Sequence, residues 1–141
     1  MNIQHYNNVF PYIIIDNFYD DCELDLIWRE IDFLLDGDKF DTPEKTATAS
    51  AGDVILKKNG GIFLDNVYSD REYSNILTCS RKLYRELKSI WGGSESWWFR
   101  TLLGSCDVLD HDHTLLSYYG HDDYYKPHCD KSIVTSLTWL Y

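Results

Sequence analysis

The sequence predicts an α+β fold, with helices from the first half packed on a mainly antiparallel sheet supplied by the second. Three observations carry that expectation. Two segments before residue 95 place apolar residues at helical spacing between capping residues. From Ser96 to Tyr141 the chain breaks instead into short apolar runs separated by polar turns. Aromatic residues make up 16% of the 141, which supplies large buried area for one core. A single domain over 1–141 follows, with a helical and strand scaffold over 1–95 and the sheet strands over 96–141.

Val9 to Asp16 reads VFPYIIID, a short β-branched run whose length suits a buried strand. The next segment, DDCELDLIWREIDFLLDG, spaces Leu24, Ile27, Trp28, Ile31, Leu34 and Leu35 for one helical face, with Asp20 or Asp21 as N-cap and Gly37 past the end. Lys39 to Lys58 is small, polar and turn-rich, and reads as a long surface loop or flap. A turn at Gly60-Gly61 and the run IFLDNVY follow. Ser69 and Glu72 have capping-box spacing and predict the start of a second helix, whose stripe from Tyr73 to Trp91 ends at Gly92-Gly93. Beyond it, WWFRTLL, TLLSYYG and SIVTSLTWLY read as strands. The last of these, Ser132 to Tyr141, ends on an apolar residue and predicts an open sheet edge.

Thirteen Lys and Arg against 23 Asp and Glu give a formal charge of −10 with no acidic tail. Nucleic acid and anionic membranes are excluded as partners on that balance, because both need basic clusters. No apolar run approaches the ~20 residues of a bilayer span, and MNIQHYNN lacks a signal peptide's regions. The expectation is a cytoplasmic protein. Cys22, Cys79, Cys106 and Cys129 show no CxxC spacing, which excludes zinc-ribbon and thioredoxin-type sites and predicts reduced thiols.

The chemistry concentrates in YYKPHCDKS, Tyr124 to Ser132. On a strand, residues two apart share a face, so His128 and Asp130 would present an imidazole beside a carboxylate, with Cys129 turned to the opposite, buried side. One nitrogen and one hard oxygen are two members of a 2-His-1-carboxylate iron site. The flanking residues extend the pair to Tyr119-Gly120, Tyr125 and Pro127-His128-x-Asp130, a Y-G-x5-Y-x-P-H-x-D pattern.

This pattern resembles the 2-oxoglutarate- and Fe(II)-dependent oxygenases, in their prolyl-4-hydroxylase-like branch. FPYIIIDNFYDD is similar to that family's opening strand and first helix, and SIVTSLTWLY to the strand after its iron-binding turn. The resemblance implies His128 and Asp130 as the first two iron ligands and Tyr119 as a residue that reaches 2-oxoglutarate. It also implies Thr135, Leu137 and Trp139 as residues facing the co-substrate pocket, with Tyr125 buttressing the ligand turn. The implied cofactors are Fe(II) and the co-substrate 2-oxoglutarate, with ascorbate as an auxiliary reductant. The implied reaction is hydroxylation of a C–H bond in a protein or small-molecule substrate, coupled to decarboxylation of 2-oxoglutarate to succinate. The family continues with a distal histidine and an Arg or Lys for the far carboxylate of 2-oxoglutarate. The expectation is therefore a partial double-stranded β-helix of jelly-roll, cupin-like type, truncated after the strand that follows the His-x-Asp turn and inactive by itself.

Two other readings stay open. A non-catalytic homodimer would pair the exposed edge of Ser132 to Tyr141 across a two-fold axis. A simple cupin-like metal-binding protein would use His128, Asp130 and a histidine of the LDHDHT loop, His111 or His113. His121 reads as an exposed turn residue, Arg100 and Lys126 as surface charges, and Trp97-Trp98 as core or interface.

Overall fold

The computed structural model describes residues 1–6, 12–46, 49–83, 113–129, 132 and 135–140. Among these, helices and small antiparallel strand pairs alternate, which agrees with a mixed helix-and-sheet class. The chain opens with two paired antiparallel strands, β1 (Asn2–Tyr6) against β2 (Tyr12–Asp16), and the pair nearest their connection, Tyr6 and Tyr12, stacks its rings 4.7 Å apart. The run Val9 to Asp16 predicted β2 as a buried strand; the strand forms, but none of Tyr12–Asp16 is buried, and Tyr12 and Ile14 are exposed. Its partner β1, more polar, carried no comparable signal.

Helix α1 (Asp21–Asp36) begins and ends where the sequence places it. Asp20 accepts from the Glu23 N–H while the Glu23 carboxylate accepts from the Asp20 N–H, a complete capping box, and Gly37 is the C-cap. Its stripe divides: Ile27, Ile31 and Leu34 are buried, whereas Trp28 and Leu35 sit at the exposed rim. Glu30 is buried on the same face.

The segment predicted as a long loop carries more order than its composition suggests. Residues 43–45 form a 3₁₀ turn, β3 (Ser50–Ala51) and β4 (Val54–Ile55) make a hairpin, and β5 (Lys57–Lys58) follows. Gly52, at φ 58°, supplies the positive φ that such a tight hairpin turn requires. Gly60 and Gly61 do not turn the chain. They lie in β6 (Gly60–Phe63), antiparallel to β7 (Leu115–Tyr118), and Gly61 also exchanges backbone bonds with Asp41. The reason for glycine is crowding: a Cβ on Gly61 would come within 3.2 Å of Thr46 Oγ1 and 3.3 Å of Leu115 Cδ1.

Helix α2 (Leu64–Val67) leads to a 3₁₀ turn at Arg71–Tyr73 capped by Asp70. The second predicted helix starts later than its Ser69-x-x-Glu72 signal. Helix α3 (Asn75–Ser80) takes Ser74 as N-cap, because Ser74 Oγ accepts from the Leu77 N–H and Glu30 lies alongside to receive the Ile76 N–H. The predicted continuation beyond Leu83, and the run WWFRTLL, lie outside the described residues. The core joins Ile27, Ile31 and Leu34 of α1 to Ile62 of β6, Leu64 of α2 and Ile76 and Leu77 of α3, with Tyr19, Phe40, Leu116 and Leu140 packed against it.

The last pairing places the motif. Strand β8 (Tyr124–Tyr125) runs antiparallel to β5, with Lys57 opposite Tyr125 and Lys58 opposite Tyr124. No strand forms over residues 135–140, where one was predicted. A ladder needs a neighbouring strand, and none among the described residues pairs with this run. Leu137 and Trp139 are 69% and 76% exposed, while Leu140 alone reaches the core.

Candidate functional site

Strand residues 57–63 form the floor on which the motif is built. Tyr118 pairs with Gly60 and Tyr124 with Lys58, so Tyr119 to Asp123 bulge out opposite the single residue Asn59. The bulge is closed from within. Asp123 Oδ2 accepts from the Gly120 N–H at 2.8 Å, Asp123 Oδ1 meets Lys58 Nζ at 3.2 Å, and Asp122 takes a left-handed φ of 65°. The Gly120 N–H and then Lys58 hold the Asp123 carboxyl below the ordinary carboxylate range. Tyr119, at the start of the bulge, has its phenol pushed up, chiefly by burial and further by Asp123, against a lowering hydrogen bond with Ser117.

His128 follows β8 on residues without regular structure and is exposed. A ring stack and a hydrogen bond orient it. Its ring stacks on Tyr125, with centroids 3.8 Å apart and planes at 14°, and Nδ1 lies 2.9 Å from the Lys126 carbonyl oxygen. A carbonyl only accepts, so Nδ1 carries the proton and the neutral ring keeps its lone pair on Nε2. That tautomer is the one a metal ligand needs when its other nitrogen is anchored to backbone, so His128 fits a metal site through Nε2. Tyr125, expected to buttress the ligand turn, packs its ring against that of His128.

Asp130, the second expected ligand, lies outside the described residues. Cys129 is exposed rather than the buried residue that strand alternation predicted, because the strand ends at Tyr125 and alternation ends with it. Thr135, Leu137 and Trp139 are all exposed and share no strand face, and Thr135 Oγ1 lies 3.1 Å from Ser132 Oγ. Among the described residues no three His, Cys, Asp or Glu side chains gather closely enough to hold a metal ion.

The LDHDHT loop is described only at His113 and Thr114. His113 is exposed, with Nδ1 3.8 Å from Asp65 Oδ2 and its ring edge-on to Phe63. His121 pairs with Asp122 at 2.9 Å on the bulge, in keeping with an exposed turn residue. Lys126 extends over the Tyr124 ring. Cys22, Cys79 and Cys129 are free thiols, and burial pushes the Cys79 thiol up. Arg100, Trp97, Trp98, Cys106 and His111 lie outside the described residues.

Sequence reasoning missed the group beneath Tyr125. Lys57 is 1% exposed, with Nζ donating to the Thr46 carbonyl oxygen and, at 2.8 Å, to Thr46 Oγ1, and it lies 5.3 Å from the Tyr125 ring centroid. Burial pushes the Lys57 ammonium down, with Glu44 opposing. The only signal for it was alternation: Lys57, Asn59 and Gly61 are buried while Lys58 is not.

No protein family, curated protein or solved structure matches the chain. No helix among the described residues is long and apolar enough to cross a membrane.

Proposed function

We propose that this chain carries part of the active site of an Fe(II)- and 2-oxoglutarate-dependent hydroxylase of prolyl-4-hydroxylase type. His128 ligates iron through Nε2, Asp130 supplies the carboxylate, and Tyr119 reaches the co-substrate. The observation that supports this reading best is the hydrogen bond from His128 Nδ1 to the Lys126 carbonyl, which leaves Nε2 as the basic nitrogen in the first ligand of the Y-G-x5-Y-x-P-H-x-D pattern.

Iron chelated by 2-oxoglutarate would supply the oxidising power for C–H hydroxylation, with ascorbate as auxiliary reductant. The chain's own residues orient that chemistry. Tyr125 limits rotation of the imidazole, Pro127 presets the backbone that presents it, and the bulge closed by Asp123 fixes Tyr119 relative to β8. In this reading the core strands 115–118 and 124–125 belong to a double-stranded β-helix, and the substrate is a protein side chain or a small molecule.

The test is an anaerobic titration with Fe(II) and 2-oxoglutarate, following the visible charge-transfer band of the chelate. The parent chain is expected to show the band and His128→Ala to lose it. A band that survives His128→Ala, or a parent chain that takes up no Fe(II), overturns the assignment.

A second reading, a non-catalytic homo-oligomer, is favoured by the exposed Leu137 and Trp139. It predicts a solution mass of twice the chain that falls to the monomer value in Leu137→Asp/Trp139→Asp; a monomer in the parent chain removes it.

A further inference from the structure

We propose that Lys57 is a positioning residue for the His128 imidazole and acts through the Tyr125 ring. The inference rests on the reading of His128 as a metal ligand, and it concerns how a side chain on an exposed stretch is held in one orientation.

Lys57 and Tyr125 are opposite one another in the β5–β8 register, so their side chains share a face of that pair. The lysine is buried, and its ammonium is held by two uncharged oxygens of one residue, the carbonyl and hydroxyl of Thr46. The remaining direction is taken by the tyrosine ring, 5.3 Å from Nζ to centroid. A methionine or leucine would fill this volume without the cost of burying a charge. Beyond its bonds to Thr46 and its attraction to Glu44, the ammonium adds a cation–π attraction to the ring, which grows as water is excluded.

Tyr125 then transmits that fixation. Its ring lies 3.8 Å from the His128 ring and nearly parallel to it, so displacement of the phenol displaces the imidazole. The Lys126 carbonyl, next to Tyr125 in the chain, fixes the His128 tautomer. A single line of contacts therefore runs from Thr46 through Lys57 and Tyr125 to the proposed ligand, and its inner end is buried while its outer end is exposed. Groups that orient a ligating histidine typically change metal affinity by about 10- to 100-fold when removed. Lys57, one step further back, is expected to contribute about three- to tenfold.

The experiment uses the full chain labelled with 15N- and 13C-histidine. NMR of the metal-free protein, with the imidazole neutral, reads the ring-current shift of His128 and the share of its Nδ1–H tautomer; Fe(II) affinity is measured separately. Lys57→Met is expected to reduce both His128 signatures and weaken Fe(II) binding about three- to tenfold, and Tyr125→Leu to remove the ring-current shift and weaken binding further. Tyr125→Phe, which keeps the ring, is expected to stay near the parent. In the double variant Lys57→Met/Tyr125→Leu the loss is expected to equal that of Tyr125→Leu alone, since the lysine acts through the ring. Folded Lys57→Met with unchanged His128 signals, or additive losses in the double variant, overturns the proposal. Should Lys57→Met fail to fold, Thr46→Val removes one anchor of Nζ and must shift the His128 signals in the same direction; no shift overturns it equally. If no variant or parent binds Fe(II), the hydroxylase reading fails, and the metal-free spectra still decide whether Lys57 orients the ring.

Discussion

Replacing Glu30 should cost this fold more than any other single carboxylate replacement within the described residues. Glu30 is 6% exposed on α1 and reaches across to the start of α3, where Oε1 accepts from Ser74 Oγ at 2.7 Å and Oε2 from the Ile76 N–H at 2.9 Å. The Tyr68 hydroxyl is hydrogen-bonded to the same carboxylate. One side chain thus satisfies one orphan backbone N–H and the hydroxyl of the capping serine at the N-terminus of α3, and ties two helices that are far apart in sequence. Hydrogen bonds to a charged acceptor contribute about 1.5–3 kcal/mol each, and abandoned buried donors cost about 1–3 kcal/mol each. Counting the two bonds to α3 alone, Glu30→Ala should lose about 4 kcal/mol, about a quarter or more of an ordinary stability of about 5–15 kcal/mol.

Urea denaturation followed by far-ultraviolet circular dichroism measures this directly. With a slope of about 2 kcal/mol per M, the midpoint should fall by about 2 M. Glu30→Gln keeps one acceptor but turns an NH₂ group towards a donor, and should lose about half as much. Ser74→Ala removes the α3 cap and should cost about 1–2 kcal/mol. It should be less than additive with Glu30→Ala because the two share a bond. Losses below about 1 kcal/mol in both Glu30 variants would refute the claim that this carboxylate clamps α1 to α3.

Four further outcomes follow from the same structure. The Asp123 carboxyl is held below its ordinary 3.8, so the native state binds fewer protons than the unfolded chain around that pH. The stability it contributes is present above about pH 4 and lost as pH falls through the folded value, and Asp123→Asn should flatten that part of an acid-unfolding curve. Burial and then Glu30 raise the Tyr68 phenol above its ordinary 10.0, so the native state keeps a proton that the unfolded chain releases. Stability should decline as pH rises past about 10, and Tyr68→Phe should remove that decline in alkaline melts. Gly61→Ala must push Thr46 or Leu115 aside and should destabilise by about 1–3 kcal/mol in urea. Asp20→Ala removes the capping-box acceptor of α1 and should cost about 1 kcal/mol by the same measurement.

Helix α1 was legible because local chemistry decides it: Asp20, Glu23 and Gly37 are capping residues that act within one turn of the helix ends. The start of α3 was not, because Glu30, 46 residues before Ile76, settles it, and no window around Ser69 contains that information. The same limit explains Gly60-Gly61. Paired glycines signal a turn locally, yet here they admit Thr46 and Leu115, which come from distant parts of the chain. Strand β1 was overlooked because NIQHY lacks an apolar run and is held by its pairing to β2. For the candidate site, the motif pointed to His128 and Tyr125, and their rings stack. Lys57 stayed hidden because a lysine in a polar segment ordinarily signals solvent.

The spacing of the motif itself acquires a physical meaning from the strand register. A hairpin strand in uniform pairing would place Tyr119 opposite Asn59 and keep the ladder going; instead, five residues, Tyr119 to Asp123, stand against that one. Such an excess leaves backbone groups without ladder partners, and the chain supplies them locally: Asp123 takes the Gly120 N–H, the Asp123 N–H bonds the Gly120 carbonyl, and Asp122 accepts a left-handed backbone. The bulge resets the register so that Tyr125, and not Tyr124, falls opposite buried Lys57. A one-residue change in the bulge would exchange the faces of the two tyrosines and separate the ring beneath His128 from its anchor. The interval between Tyr119-Gly120 and Tyr125 is therefore a constraint on the orientation of His128. Inserting a glycine between His121 and Asp122 should abolish the His128 ring-current shift while leaving α1 and α3 folded.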